Sequence, residues 1–175
     1  MIRKTAGILM LCLALFASSA LALEPAKQAE FDRILALGME PLTKEAGELI
    51  ARLHPDEDWD EQDFPSFVYT SPAVELGYRI AVKHPELLTV NTCYCFCDAM
   101  GHRSLLNCFI KEKKPLFGSR FDAHGADCNI CYGEAMMALL WHELGATEAE
   151  IQAGMAKRFA KLIKLKEEGK LPPPR

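Results

Sequence analysis

Residues 127–145 read "DCNICYGEAMMALLWHELG", and this stretch decides the fold class because it has the features of a helix at both ends. Asp127 belongs to the residue types that cap a helix N-terminus, and Gly145 to the type that most often follows the last turn. Between them the apolar residues recur at helical spacing. We therefore predict a helix over residues 128–144.

The rest of the chain carries similar features. Periodicity and capping residues predict further helices over residues 26–38, 43–53, 72–84 and 148–168. Pro41 is expected to interrupt the chain before the second of these. The one candidate strand is "TCYCFC", residues 92–97. We expect a mainly α protein, a small helical domain of about five helices around an irregular cysteine-rich segment.

The N-terminus predicts export. Residues 1–22 combine two early basic residues, an apolar stretch over residues 8–16 and a small-x-small ending at Ala22, which is the pattern of a secretory signal peptide. The apolar stretch is about half as long as a membrane-spanning helix of roughly 20 residues. We expect a periplasmic protein made of one domain, residues 23–168, followed by a flexible tail, residues 169–175.

Net charge and the number of cysteines limit the classes of function that the protein can have. The chain has 20 basic and 24 acidic residues, and removal of the two basic residues of the signal peptide leaves 18 against 24, a net charge of −6. We expect neither a nucleic-acid partner nor a membrane span after signal cleavage. Six cysteines remain, all between residues 93 and 131. An even number in an exported protein often indicates disulfides.

Strand geometry argues against bridges within residues 92–97. In an extended strand, residues two apart are separated by about 6.6 Å and residues four apart by about 13 Å. Disulfides need alpha-carbon separations of about 4.4–6.8 Å, so Cys93 with Cys95 is at the limit and Cys93 with Cys97 requires a bend. One metal ion likewise cannot reach Cys93 and Cys97 unless the chain folds over. The three thiols therefore need partners from elsewhere.

The remaining cysteines can supply those partners. Cys108 follows in the chain, and Cys128 and Cys131 lie three apart at a predicted helix start, where the helix dipole favours thiolates. Soft thiolates select Cu(I), which tolerates low coordination and bridging sulfurs, and zinc is the less favoured ion. His102 and His124, the histidines nearest the cysteines, could complete or orient such a site.

The residues also carry a resemblance to a known family. "TCYCFCDAMGHRSLLNCFI" and "FDAHGADCNIC" resemble the PCYCGC-motif proteins, exported and often lipid-anchored bacterial proteins without an established activity. The resemblance covers residues 64–161 and includes all six cysteines. Thr92 replaces the Pro of the motif and Phe96 its Gly, so the resemblance leaves open whether the run is bent. The family's lipid-anchor cysteine is missing here, which favours a soluble periplasmic form.

Three hypotheses follow. The first is a periplasmic soft-metal binding protein that uses the cysteines for storage, delivery or detoxification of Cu(I), with another periplasmic metalloprotein as a candidate partner. The second is a thiol–disulfide redox protein using Cys128 and Cys131, although the thioredoxin type of strand–helix alternation is missing. The third is a binding module stapled by disulfides. The sequence has no serine-nucleophile motif, phosphate loop or dinucleotide fingerprint, so we do not expect an enzyme.

Other possible metal ligands receive no role. The methionines Met136 and Met137 occupy helical positions that are typical of a core. His54, His84 and His142 are distant from the cysteines in the sequence.

Overall fold

The computed structural model describes residues 24–111 and 119–171. The predicted signal peptide and the last four residues of the predicted tail lie outside this part of the chain. Within it there are eight α-helices: α1 Pro25–Ala36, α2 Met39–Leu53, α3 Pro72–Lys83, α4 Pro85–Thr89, α5 His124–Asp127, α6 Asn129–Glu143, α7 Glu148–Arg158 and α8 Ala160–Glu167. The prediction of a mainly α fold is confirmed, whereas the expected number of about five helices is too low.

The differences have local causes. Helix α2 begins at Met39, because Pro41 lies in its first turn, where a missing N–H removes no hydrogen bond of the helix. The predicted last helix is divided at Phe159, whose φ of −103° and ψ of 16° leave the helical region. The two further helices, α4 and α5, have only 5 and 4 residues.

Helix α6 forms the centre of the core. It is buried on most sides, as expected for a helix that is apolar all round, and α1, α2, α3 and α7 all pack against it. Trp141 stacks on Phe31 with ring centroids 4.3 Å apart and donates its indole N–H to the Phe31 carbonyl at 3.1 Å. Met136 and Met137 are buried in this core, as predicted.

Helices α3 and α6 approach closely at Gly77. A Cβ atom at Gly77 would lie 2.7 Å from Cβ of Tyr132 and 3.0 Å from Cε1 of Phe109. The two aromatic residues directly follow Cys131 and Cys108 in the chain. The packing of α3 on α6 therefore fixes the backbone next to two of the cysteines.

The prediction of a strand at residues 92–97 is wrong. In the described residues the β-structure consists of one isolated antiparallel bridge between Ile110 and Phe121. The cysteine run instead bends, because Phe96 has φ 59° and ψ 41° in the left-handed region. None of the described helices is long and apolar enough to cross a membrane.

Candidate metal centre

The bend brings the first three cysteines to one side of the chain. The N–H of Phe96 donates to the carbonyl of Cys93 at 3.4 Å, and a short 3-10 helix, Cys97–Met100, begins directly after the bend. The thiols of Cys93 and Cys95 are then 3.2 Å apart. The row of thiols expected for an extended strand is therefore replaced by a compact turn.

Backbone hydrogen bonds bring Cys108 beside this turn. The buried Asn91 donates its side-chain N–H to the backbone carbonyl of Leu87 at 2.7 Å. The backbone carbonyl of Asn91 accepts from the N–H of Leu105 at 2.8 Å. Leu105 starts the 3-10 helix Leu105–Cys108, which ends at the cysteine. Asn91 thus ties the end of α4 to the segment that carries Cys108.

The last two cysteines lie at the start of α6. Cys128 is the N-cap residue in place of the predicted Asp127, which belongs to α5, and the N–H of Cys131 donates to the carbonyl of Cys128 at 3.1 Å. Cys131 is buried and Cys128 is half-buried. Both therefore lie at the positive end of the helix dipole, which stabilises thiolates.

The six sulfur atoms form one continuous cluster. Cys93 lies 3.4 Å from Cys131, Cys131 lies 3.7 Å from Cys95, and Cys97 lies 3.6 Å from Cys108, measured between Sγ atoms. A disulfide bond is about 2.05 Å long, so these sulfurs are in contact without being bonded. All six cysteines are free thiols, and the described residues contain no disulfide.

These contacts form overlapping sets of metal ligands. Three sets of four have their ligand atoms within 4.8 Å of one another: Cys93, Cys95, Cys108 and Cys131; Cys95, Cys128, Cys131 and His124; and Cys95, Cys97, Cys108 and His124. Cys95 belongs to all three sets. Its sulfur is therefore positioned to be shared between metal ions.

Two histidines border the cluster. Nε2 of His124 lies 3.4 Å from Sγ of Cys95, and Nδ1 of His102 lies 3.2 Å from Sγ of Cys97. The two rings meet edge to face with centroids 5.1 Å apart. His124 takes part in two of the three ligand sets. His102 belongs to none of them and contacts the cluster through Cys97.

The thiols influence one another's protonation strongly. Hydrogen bonds from Cys108, Cys128, Cys131 and Cys93 lower the pKa of Cys95. The pKa of Cys131 is raised, because its hydrogen bonds with Cys108 and the other neighbouring thiols, together with burial, favour the protonated form. The thiolate form of Cys95 is therefore stabilised by the thiols around it.

Glu134 is a site residue that sequence reasoning missed. It is fully buried, and its Oε1 accepts the N–H of Tyr94, in the middle of the cysteine turn, at 2.8 Å. Its Oε2 meets no partner at hydrogen-bond geometry. Burial raises the pKa of Glu134 well above its usual range, while the Tyr94 N–H and the Cys93 thiol oppose that shift. The signal was an acid within the apolar stretch of α6, three residues after Cys131.

An open cleft leads to the cluster. Its volume is about 560 Å³, and it is lined by residues that include Cys93, Cys97, His102 and Lys166. Nζ of Lys166 lies 4.3 Å from the ring centroid of Phe96. Cys93, Cys97 and His102 are therefore the members of the cluster and its border that line this cleft.

Comparison with known proteins agrees with the cysteine pattern. The sequence model of the family described as "Protein of unknown function with PCYCGC motif" matches residues 55–163, more than half of the chain. The chain belongs to this family. Searches of the curated proteins and of the solved structures find no match. Membership in the PCYCGC family gives no activity, so the function has to be argued from the site.

Proposed function

We propose that the protein is a periplasmic soft-metal binding protein that holds several Cu(I) ions in its six-cysteine cluster, for storage, delivery or detoxification. The observation that carries the proposal is the place of Cys95 in all three ligand sets. Separate mononuclear sites would each have their own ligands. A thiolate common to all sets is the arrangement that a polynuclear cluster needs.

The sulfur separations agree with metal–thiolate geometry. Metal–sulfur bonds of about 2.3 Å around a tetrahedral ion place neighbouring sulfurs about 3.8 Å apart. The contacts of Cys131 with Cys93 and Cys95, at 3.4 and 3.7 Å, are close to that length. Little movement is needed to admit an ion, so the free energy of binding is not spent on rearranging the chain.

Ligand type and number favour Cu(I) over zinc. Structural zinc takes four ligands, so two zinc ions would use eight ligand positions. The three sets together contain six cysteines and His124, which fill eight positions only if every ligand is used and one sulfur, such as that of Cys95, is shared. Cu(I) accepts fewer ligands and bridging sulfurs, and thiolates are soft donors that suit it. Several Cu(I) ions therefore fit this set of ligands better than several zinc ions.

Two matched variants test the proposal. Cys95→Ser removes the shared sulfur, whereas Cys128→Ser removes a sulfur of one set only. In anaerobic competition with a chromophoric Cu(I) chelator, we expect Cys95→Ser to lose more than one copper ion per chain and Cys128→Ser no more than one. Native mass spectrometry counts the ions, and mass analysis of periplasmic protein is expected to show a chain that begins at Leu23.

Two results would reject the copper assignment. One is Zn(II) binding by the six-cysteine cluster that is as tight as its Cu(I) binding. The other is copper stoichiometry that does not change in Cys95→Ser while the melting temperature falls sharply, which is the behaviour of a disulfide-stapled domain. Oxidised chain isolated with a bond between Cys128 and Cys131 and redox turnover with a partner would favour the thiol–disulfide hypothesis.

A further inference from the structure

A second group of metal-binding side chains lies where α2 and α3 end. Nε2 of His54 is 3.1 Å from Nε2 of His84, and the two rings meet edge to face with centroids 5.2 Å apart. Both side chains are half-buried. The proposed thiol cluster does not use either residue.

The backbone fixes both histidines in the same way. His54 caps the C-terminus of α2 with φ −132° and ψ 63°, and His84 caps that of α3 with φ −128° and ψ 51°. Each is followed by a proline, Pro55 or Pro85, which restricts the backbone of the residue before it. The two histidines therefore have nearly the same backbone angles and little backbone freedom. Bringing their rings together costs little additional conformational entropy for this reason.

We infer that His54 and His84 form a binding site for a borderline divalent metal ion, of the Zn(II) or Ni(II) class. With metal–nitrogen bonds of about 2.0–2.1 Å, two imidazole nitrogens lie about 3.4 Å apart on a tetrahedral ion and about 2.9 Å apart at adjacent octahedral positions. The observed separation of 3.1 Å lies between these values. Imidazole nitrogen is a ligand that suits such ions.

Binding requires a change of tautomer without net release of a proton. In the metal-free pair one Nε2–H donates to the other Nε2, so on binding that hydrogen moves to Nδ1 of the same ring and both Nε2 lone pairs tilt towards the ion. Nδ1 of His84 lies 3.8 Å from Oε1 of Glu86. A carboxylate beside the outer nitrogen commonly orients a metal-bound histidine.

The surroundings keep the His84 ring neutral, which is the form that binds a metal ion. The pKa of His84 is lowered by burial and by His54, and His142 lowers it further, while Glu86 and Glu143 raise it. His142 and Glu143 thus lie near this ring, at the end of α6. Helices α2 and α3 both end at the pair, and the negative ends of helix dipoles attract positive charge. Among the described residues no third His, Cys, Asp or Glu side chain forms a compact ligand group with the pair, so water molecules would complete the coordination of the ion.

The site is separate from the thiol cluster. Cys131 lies in the first turn of α6 and His142 in its last, and eleven residues of helix span about 16 Å. Occupation of one site can therefore be measured apart from that of the other.

The test is a Zn(II) titration of the full reduced chain, followed by NMR of the histidine ring nitrogens. In wild type we expect the Nε2 resonances of His54 and His84 to shift together as one zinc ion binds. His54→Gln is expected to abolish the zinc-induced shift of His84 and to lower the number of bound zinc ions by one. His84→Gln should do the same to His54.

The control is His102→Gln, which alters only the edge of the thiol cluster and should leave the shifts of His54 and His84 in place. Circular dichroism shows whether each variant is folded. If a variant does not fold, the Nε2 resonances of the wild-type protein still show whether zinc binds to the pair. The inference is overturned if the two Nε2 resonances do not move at saturating Zn(II), or if the double variant His54→Gln/His84→Gln binds as many zinc ions as wild type. The pair is then a structural hydrogen bond.

Discussion

The contact between α3 and α6 can be tested with two glycine variants. Gly77 in α3 and Gly47 in α2 both lie inside helices, so replacement by Ala gains the same helix propensity, about 0.5–1 kcal/mol. They differ in what the new Cβ meets. At Gly47 the nearest atom is Cδ2 of Leu76 at 3.9 Å, whereas at Gly77 it is Cβ of Tyr132 at 2.7 Å.

The magnitude follows from this difference. Gly47→Ala is expected to stabilise the protein by about 0.5–1 kcal/mol, since the site has room for a methyl group. At Gly77 the Cα of Tyr132 would also lie 3.3 Å from the new Cβ, so the α6 backbone has to move. Such overpacking costs about 1–3 kcal/mol. Because the propensity gain is common to both variants, Gly47→Ala should be more stable than Gly77→Ala by about 1–3 kcal/mol.

Urea denaturation of the reduced chain measures the difference, and thermal melts should separate the variants by about 2–4 °C per kcal/mol. Gly77→Ala should also weaken copper binding, because Tyr132 and Phe109 adjoin Cys131 and Cys108. Gly47→Ala should leave copper binding unchanged. Equal stability of the two variants would refute the close contact of α3 with α6.

Two further predictions concern the turn and the buried acid. Phe96→Gly should be more stable than Phe96→Ala by about 1 kcal/mol in denaturation experiments. Both variants lose the ring, but only Gly avoids the left-handed backbone strain of about 1–2 kcal/mol, and the greater entropy of Gly in the unfolded state offsets part of that gain. Equal stability of the two variants would contradict the bend. Because the pKa of Glu134 is raised in the folded protein, stability should decline as pH rises above the unfolded value of about 4.3 towards the folded pKa. Glu134→Gln should flatten this decline in urea melts at several pH values, and a wild-type slope in the variant would show that another group is responsible.

The helical fold could be predicted because its signals are local. Ser71 caps α3 through the N–H of Val74 at 3.3 Å, and Pro72 stands at its first position. The division of the last predicted helix at Phe159 could not be predicted in the same way, since the chain has neither Gly nor Pro there. At the break Phe159 stacks on Tyr94 with ring centroids 5.6 Å apart, and helix periodicity does not reveal such a tertiary contact.

The centre itself was predicted only in part. The residue types and the helix position of Cys128 and Cys131 pointed to a thiol cluster. The bend at Phe96 could not be predicted from the sequence, because bulky residues rarely adopt left-handed backbone angles. The bend depends on the bond from the Tyr94 N–H to Glu134, 40 residues away. Contacts at such separations become visible only when the chain has folded.

The proposed copper cluster also has to be neutralised, and the fold provides for this. Six thiolates that share fewer Cu(I) ions than sulfurs carry a net negative charge. The N-terminus of α6 places the positive end of its dipole at Cys128 and Cys131. At the mouth of the cleft Lys166 lies over the ring of Phe96, but its charge is balanced by Asp98, whose carboxylate lies 3.4 Å away in the same cleft, so the helix dipole is the contribution that remains. The direction of α6 therefore helps to balance the negative charge of the proposed cluster.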